Sequence, residues 1–442
     1  MKTSNIKLLL IVAFVGILSS CTKDFDNINE AADNQIFNTK AGLIAVTEGL
    51  NQHFTATTLI RVVEVPGLTT REFGNIGGFL TPMELVSGGL LIPNDNAGIV
   101  DLWGNLLRDK GVAEAMIANV DAVEMPDGTK SGIKAYAKFF KAITLGYLIQ
   151  NFEKVPINNQ SDGQAVFNDK ATVLAECISL LQSAKSDLTA NPISAEFQAA
   201  LPGLNLPNMV NAFLARYNLY AGNYDAALTA ANAVDLASKS EWKFDGSVNR
   251  NPVWNFAVNS APDTKPQDNF GLTGIYVPEA GDGRIAFYLI PSPIVETSFG
   301  LHGVEDAKGF FDTPSKSLPV YLPGEMMLIK AEAYAMKNDL PNAVAQINLV
   351  RQKTNDVFGV NAGLGAWTGN AANKTDVLNE IYKNRCIELF MSGLRLEDSR
   401  RIHSSFVPSP AIDFYSERNR NYYPYPYNER TNNKNCPADP SI

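Results

Sequence analysis

The chain has 442 residues, 45% of them hydrophobic and 10% aromatic, enough to bury a large core. Lys and Arg number 37 against 46 Asp and Glu, a net charge of −9, which leaves no electrostatic footprint for nucleic acid. Four cysteines and three histidines without a CxxC or HExxH pattern make neither a disulfide framework nor a metal cluster, so no metal and no cofactor is expected.

At the N-terminus Lys2 and Lys7 form a positive region ahead of an apolar run, Leu8 to Leu18. A spanning helix needs about 20 apolar residues, so this shorter run reads as the core of a secretory signal peptide over 1–20. It ends in Leu18-Ser19-Ser20-Cys21, which resembles a bacterial lipobox. The resemblance implies that Cys21 becomes the first mature residue and that its sulfur carries a diacylglyceryl group. Each buried methylene contributes about 0.8 kcal/mol, so two or three acyl chains hold a protein at a membrane nearly permanently. Thr22 to Asp26 (TKDFD) resembles the signal that sends lipoproteins of Bacteroidetes to the outer face of the outer membrane. Residues 21–35 are polar and read as a flexible tether. No later apolar run is long enough to span a bilayer, so only the lipid is expected to enter the membrane.

The body, 36–442, reads as one mainly α-helical domain whose helices come in pairs. Ile99, Leu102, Trp103 and Leu106 recur at helical spacing, as do Ala113, Met116, Ile117 and Val120. Ile133, Tyr136, Ala137 and Phe140 open a helix reaching about Asn151, and Val173, Cys177, Leu180, Leu181, Ala184 and Leu188 form the next stripe. Each stripe must bury itself against a neighbour. Trp103, Cys177 and Cys386 lie on such stripes and are expected in the core.

Two later segments are more specific. Asn208 to Ser238 reads as helix, Gly222-Asn223 turn, helix, with Val210, Phe213, Leu214 and Tyr217 opposing Ala227, Ala230, Ala231 and Val234. Its phrase Ala215 to Leu228 (ARYNLYAGNYDAAL) resembles a tetratricopeptide hairpin. Glu325 to Lys353 repeats the design around an Asn338-Asp339 turn. The pairs run roughly over 97–190, 207–239 and 323–402. Between them, roughly 54–96, 242–317 and 355–373 show no helical period. Gly274–Val277 and Arg284–Ile290 look strand-like, as does the piece after Trp254, a residue expected in the core. Loops this long are usually functional or disordered, and these hold much of the aromatic content, which favours order and binding.

Pro323 to Leu340 (PGEMMLIKAEAYAMKNDL), Ala343 to Arg351 (AVAQINLVR) and Ile381 to Arg401 (IYKNRCIELFMSGLRLEDSRR) resemble the C-terminal region of the SusD/RagB family. Tyr422 to Asn433 (YYPYPYNERTNN) is similar to its closing segment, and Tyr136 to Pro156 to its second helical repeat. Ser392 stands where the family commonly has Glu. The resemblance implies tetratricopeptide-like pairs as scaffold, loops that carry a glycan site, and a lid-like seat on a TonB-dependent (SusC-like) outer membrane transporter to which oligosaccharide is delivered. The RagB branch takes peptides instead.

A sugar site needs an aromatic platform edged by hydrogen-bonding groups. The loops offer Phe73 beside Arg71, the polar tip Asn94, Asp95 and Asn96, Tyr276 and Trp367, and these are the candidate ligand-binding residues. The charged stretch holding Arg385, Glu388, Arg395, Asp398, Arg400 and Arg401 reads as structural, since Glu388 follows Arg385 and Asp398 follows Arg395 at salt-bridge spacing. A carboxylate kept ionised by arginine is a poor general acid. A glycoside hydrolase would need two carboxyl groups about 5–10 Å apart, one with a raised pKa. No nucleophile elbow or histidine-centred motif occurs, and no catalytic residue is expected. A scaffold binding proteins on its helical pairs is the third class.

Overall fold

The computed structural model describes residues 36–259, 263–292 and 303–442. The expected signal peptide and tether, Cys21 included, lie outside these residues. The helical stripes stack in chain order. Ala97–Asn119 packs on Asp127–Asn151, and that on Lys170–Ala190. Leu206–Tyr220 follows and hairpins into Tyr224–Asn232. Pro323–Met336 lies against this pair and turns into Leu340–Arg351, and Lys374–Glu388 and Arg395–Ile402 close the row. The architecture is therefore a mainly α stack of helical hairpins with short two-stranded ladders. Among the described residues no helix is long and apolar enough to cross a membrane.

The helices start where the sequence supplies a cap. The Asn96 side chain accepts from the N–H groups of Gly98 and Ile99, Asp169 from Thr172, and Asn373 from Thr375 and Asp376. Close approach follows from small residues. Gly146 lets the Asp127–Asn151 helix touch Tyr217, whose hydroxyl would lie 2.0 Å from a Cβ placed there. Ala227, Ala230 and Ala231 do the same for the hairpin partner of that tyrosine's helix.

The stretch 54–96 departs from the expectation of an irregular loop. A π-helical turn, Phe54–Thr58, runs into a helix, Leu59–Thr69, and a second helix spans Leu80–Ser87. Nine of the eleven residues of Leu59–Thr69 are buried, so it shows no polar face and no period. Pro66 sits inside it and removes the bond that the Val62 carbonyl would have accepted. Gly393, at φ 75°, lies on that carbonyl, and a Cβ there would come within 2.2 Å of the oxygen. The region 242–317 also differs. Gly274–Tyr276 is a turn of 3-10 helix, Gly283–Tyr288 is α-helix running into the strand Leu289–Pro291, and Pro252–Ala257 is helical. Trp254, on that last helix, is half-buried beneath Arg250.

Short ladders join the loops. Phe73–Asn75 pairs antiparallel with Thr264–Pro266 (Phe73 opposite Pro266), and Leu289–Pro291 with Glu305–Ala307 (Leu289 opposite Ala307). The closing segment folds back over the first helices. The Tyr423 N–H donates to the Asn151 carbonyl at 3.0 Å and its hydroxyl lies 2.7 Å from Thr69 Oγ1, both groups buried. Tyr425 stacks on Phe152 and accepts from the Lys154 N–H. Cys177 and Cys386 are buried thiols, as expected.

Charged residues tie the stack internally. Arg216 grips Glu325, and Arg385 grips Asp398 through Nε–Oδ2 at 2.8 Å and Nη2–Oδ1 at 2.9 Å. The reading as structural ion pairs holds, but the partners are not those the spacing suggested. Glu388 pairs with Arg284 and Lys353 instead of Arg385, and Arg395 donates to the Phe270 carbonyl at 2.5 Å instead of to Asp398. The helix turns sharply after Glu388, so contacts along one helix give way to contacts between two.

Candidate functional site

The helix Lys374–Glu388 presents Asp376, Asn379, Glu380 and Lys383 at positions i, i+3, i+4 and i+7, a single face. Two loops rise opposite that face. One carries Ile275, 70% exposed, on the 3-10 turn Gly274–Tyr276. The other carries Trp367, Gly369 and Asn370. Together they line a cleft of about 290 Å³.

Trp367 is held by two means. Its N–H donates to Asn348 Oδ1 at 2.7 Å, and its half-buried indole packs on the small apolar cluster of Ala331, Ala335, Ala343, Ile347, Val377 and Ile381. Gly369 passes across the indole, where a Cβ would meet Cζ2 at 2.3 Å. Deeper in the cleft Glu380 and Lys383 are already partnered. Lys383 Nζ lies 2.8 Å from Glu380 and 2.9 Å from Glu279, and Arg351 reaches both acids. Hydrogen bonds from Arg351 above all, then from Lys383, hold the Glu279 carboxyl down at about 2. This ion network, open to solvent at Glu279, fixes the floor, while Asn370, Asp376 and Asn379 stand at the mouth beside the indole and the isoleucine.

Tyr276 belongs to the wall behind this mouth. Its hydroxyl lies 3.1 Å from Asn379 Oδ1 and 3.0 Å from His403 Nε2, and its ring meets Tyr382 edge-on. Burial pushes its phenol up to about 12. His403 Nδ1 in turn lies 2.5 Å from Glu417 Oε2. Trp367 and Tyr276, far apart in the chain, are thus brought to one cleft, one as platform and the other as support for Asn379.

The other candidates are not brought there, and three of them offer no surface to a ligand. Arg71 is buried, and its guanidinium donates to the carbonyls of Ser416, Val86 and Asp413. Burial lowers it to about 10. Phe73 is fully buried, edge-on to Phe256, because its strand is covered by the Leu59–Thr69 helix. Asn96 is spent as a helix cap, and its Nδ2 donates to the Thr81 carbonyl and to Glu84. Asn94 is half-buried with its carbonyl accepting from the Tyr427 N–H, and Asp95 alone of that tip is exposed. A separate apolar edge lies nearby in sequence, with Phe79 62% and Leu80 67% exposed at the start of the Leu80–Ser87 helix. Sequence reasoning passed over Ile275, Asn370, Asp376 and Asn379. The polar i, i+3 face of the Lys374–Glu388 helix was the available signal for the last two.

Residues 311–439 match the model of the SusD family. Among curated protein sequences no relative matches. Solved structures with the same fold include a SusD superfamily protein from Bacteroides thetaiotaomicron, 15% identical, TM-score 0.69, covering 91% of this chain and 100% of that one. A SusD-like carbohydrate binding protein from Bacteroides fragilis is 15% identical with TM-score 0.68, covering 91% and 99%. A SusD superfamily protein from Parabacteroides distasonis is 16% identical with TM-score 0.67, covering 90% and 98%.

Proposed function

We propose, from a chain that has the SusD fold and SusD/RagB family sequence at 311–439, that it is a non-catalytic protein that captures oligosaccharide at the cell surface. In this reading Cys21 carries the lipid that fastens it to the outer membrane, facing outward, and a SusC-like TonB-dependent transporter takes the sugar from it. The observation that carries the capture step is the composition of the cleft mouth. A half-exposed indole and an exposed isoleucine stand beside Asn370, Asp376 and Asn379. A pyranose presents an apolar face edged with hydroxyls, and this mouth complements both. The similar protein from Bacteroides fragilis is described as carbohydrate binding, which supports the same class of ligand here. Modest affinity suits the role, because delivery requires release.

Catalysis has no support in the residues around the cleft. Glu279, Glu380, Glu388 and Asp398 each face arginine or lysine, and at Glu279 hydrogen bonds from Arg351 and Lys383 hold the carboxyl far below the range of a general acid.

Isothermal titration tests the reading. Maltohexaose, xylohexaose, cellohexaose and mannan-derived oligosaccharides are titrated into the protein, and at least one binds in the micromolar to millimolar range. Silence across the glycans with binding of short peptides would replace this reading with peptide capture. Radiolabelled palmitate incorporated into wild type and not into Cys21→Ser checks the anchor.

A further inference from the structure

We infer that His403 is a positioning residue for the cleft: its charge, relayed through the Tyr276 hydroxyl, sets which end of the Asn379 amide faces the bound ligand. The inference rests on the cleft being the binding site proposed above. It follows from counting protons along one chain of contacts.

Glu417 Oε2 lies 2.5 Å from His403 Nδ1, His403 Nε2 lies 3.0 Å from the Tyr276 oxygen, and that oxygen lies 3.1 Å from the Asn379 amide. Burial raises the Glu417 carboxyl, but hydrogen bonds from His403 and Ser399 and the charge of Arg418 outweigh it and bring the group below its usual range. Glu417 is therefore ionised and can only accept, so Nδ1 carries a hydrogen. The phenol has a single hydrogen to give. Two arrangements satisfy all three contacts. In the first, Tyr276 donates to Asn379 Oδ1 and receives from Nε2–H, so the ring is an imidazolium. In the second, Tyr276 donates to a bare Nε2, the ring is neutral, and the phenol oxygen receives from Asn379 Nδ2. Heavy-atom positions alone do not distinguish the two ends of an amide, and the hydrogen-bond network decides.

Asn379 lines the cleft mouth. With the imidazolium it turns its NH2 to the ligand and donates; with neutral His403 it turns its oxygen and accepts. A sugar hydroxyl does either, but the ring oxygen and a carboxylate substituent only accept. Charging His403 thus favours ligand groups that accept.

The groups packed around the imidazole keep their own charge in the range where imidazoles titrate, about pH 5 to 8. Glu417 and Arg418 face it from the segment after the Arg395–Ile402 helix, with Arg418 also donating to the His403 carbonyl at 3.3 Å. Tyr382 faces it from the Lys374–Glu388 helix with its ring at 4.4 Å, and Tyr276 from the 3-10 turn. Burial raises Tyr276 and Tyr382, so both stay protonated.

Nitrogen-15 NMR of the labelled protein tests this without any ligand. The chain has three histidines, so the ring nitrogens of His403 are assigned by their loss in His403→Gln, and the Asn379 side-chain amide by its loss in Asn379→Ala. As the pH is raised the His403 ring is expected to pass from two protonated nitrogens to Nδ1–H alone. The Asn379 amide shifts with the same midpoint, and that shift vanishes in Tyr276→Phe. An Asn379 amide that stays put while His403 titrates, or a His403 that keeps one state throughout, overturns the inference. Either failure leaves glycan capture standing, whereas a coupled amide in a protein that binds no glycan would count against capture alone.

Discussion

Arg216 and Glu325 meet across two helices in a fork, Nε–Oε1 at 2.6 Å and Nη2–Oε2 at 2.8 Å, with both side chains buried. Arg216 also lies over the Phe213 ring at 4.0 Å. The contact joins the Leu206–Tyr220 hairpin to the Pro323–Met336 hairpin, and it matters more when broken than when replaced. Arg216→Met leaves a buried carboxylate unpaired and is expected to cost about 3–5 kcal/mol. Adding Glu325→Leu should recover most of that loss. Urea unfolding followed by circular dichroism measures both, and a single variant as stable as wild type would show that Glu325 finds another cation.

Two helix glycines should respond oppositely to alanine. Gly146→Ala drives a methyl into the Tyr217 hydroxyl and is expected to destabilise by about 1–3 kcal/mol. Gly104, exposed in the Ala97–Asn119 helix, has nothing within 4 Å of its missing Cβ. Gly104→Ala should stabilise by roughly 0.5–1 kcal/mol, because only backbone freedom is lost. Thermal unfolding of the pair gives the sign of each directly.

Glu72 makes folding stability depend on pH. Its Oε1 accepts the Met391 N–H at 3.2 Å, holding a turn in which Met391 has φ 58°. Burial raises its carboxyl to about 7, against the partial opposition of Arg395. A raised carboxyl contributes stability that is present at and below its ordinary range near 4.5 and lost as the pH climbs through about 7. The loss is on the order of 3 kcal/mol from that shift. Glu72→Gln should flatten the curve of stability against pH in this window, as read from urea midpoints at pH 5, 6, 7 and 8. An unchanged slope in the variant would place the ionising group elsewhere.

Trp367→Ala should weaken oligosaccharide binding about tenfold or more, since an aromatic platform commonly dominates such a site. Phe79→Ala serves as the comparison because that ring is exposed and does not line the cleft. Calorimetric titration of both variants locates the site. A loss with Phe79→Ala and none with Trp367→Ala would move it to the edge beside the Leu80–Ser87 helix.

The outer helices of the stack, Ala97–Asn119 and Lys170–Ala190, were legible because they are buried on one side only. Leu102, Leu106, Ala113 and Met116 keep a helical period against polar neighbours, and the structure buries all four. Leu59–Thr69 escaped notice because it is enclosed on every side and interrupted by Pro66, which erases the period. Loop composition located aromatic and polar groups but not their directions. Arg71 and Phe73 point inward, whereas Trp367 reaches a cleft mouth. Direction in a loop is set by what packs above and below it, and for Phe73 that is the helix the sequence concealed. His403 and Glu417 gave no sign at all, because their meeting with Tyr276 depends on three segments that only the fold assembles.

The clasp of Tyr423 on Asn151 and Thr69 bears on how the chain is made. The earliest helices cannot be sealed until residues near 423 have arrived, so folding as the polypeptide emerges stalls with an open flank. Contacts of such long sequence separation form slowly.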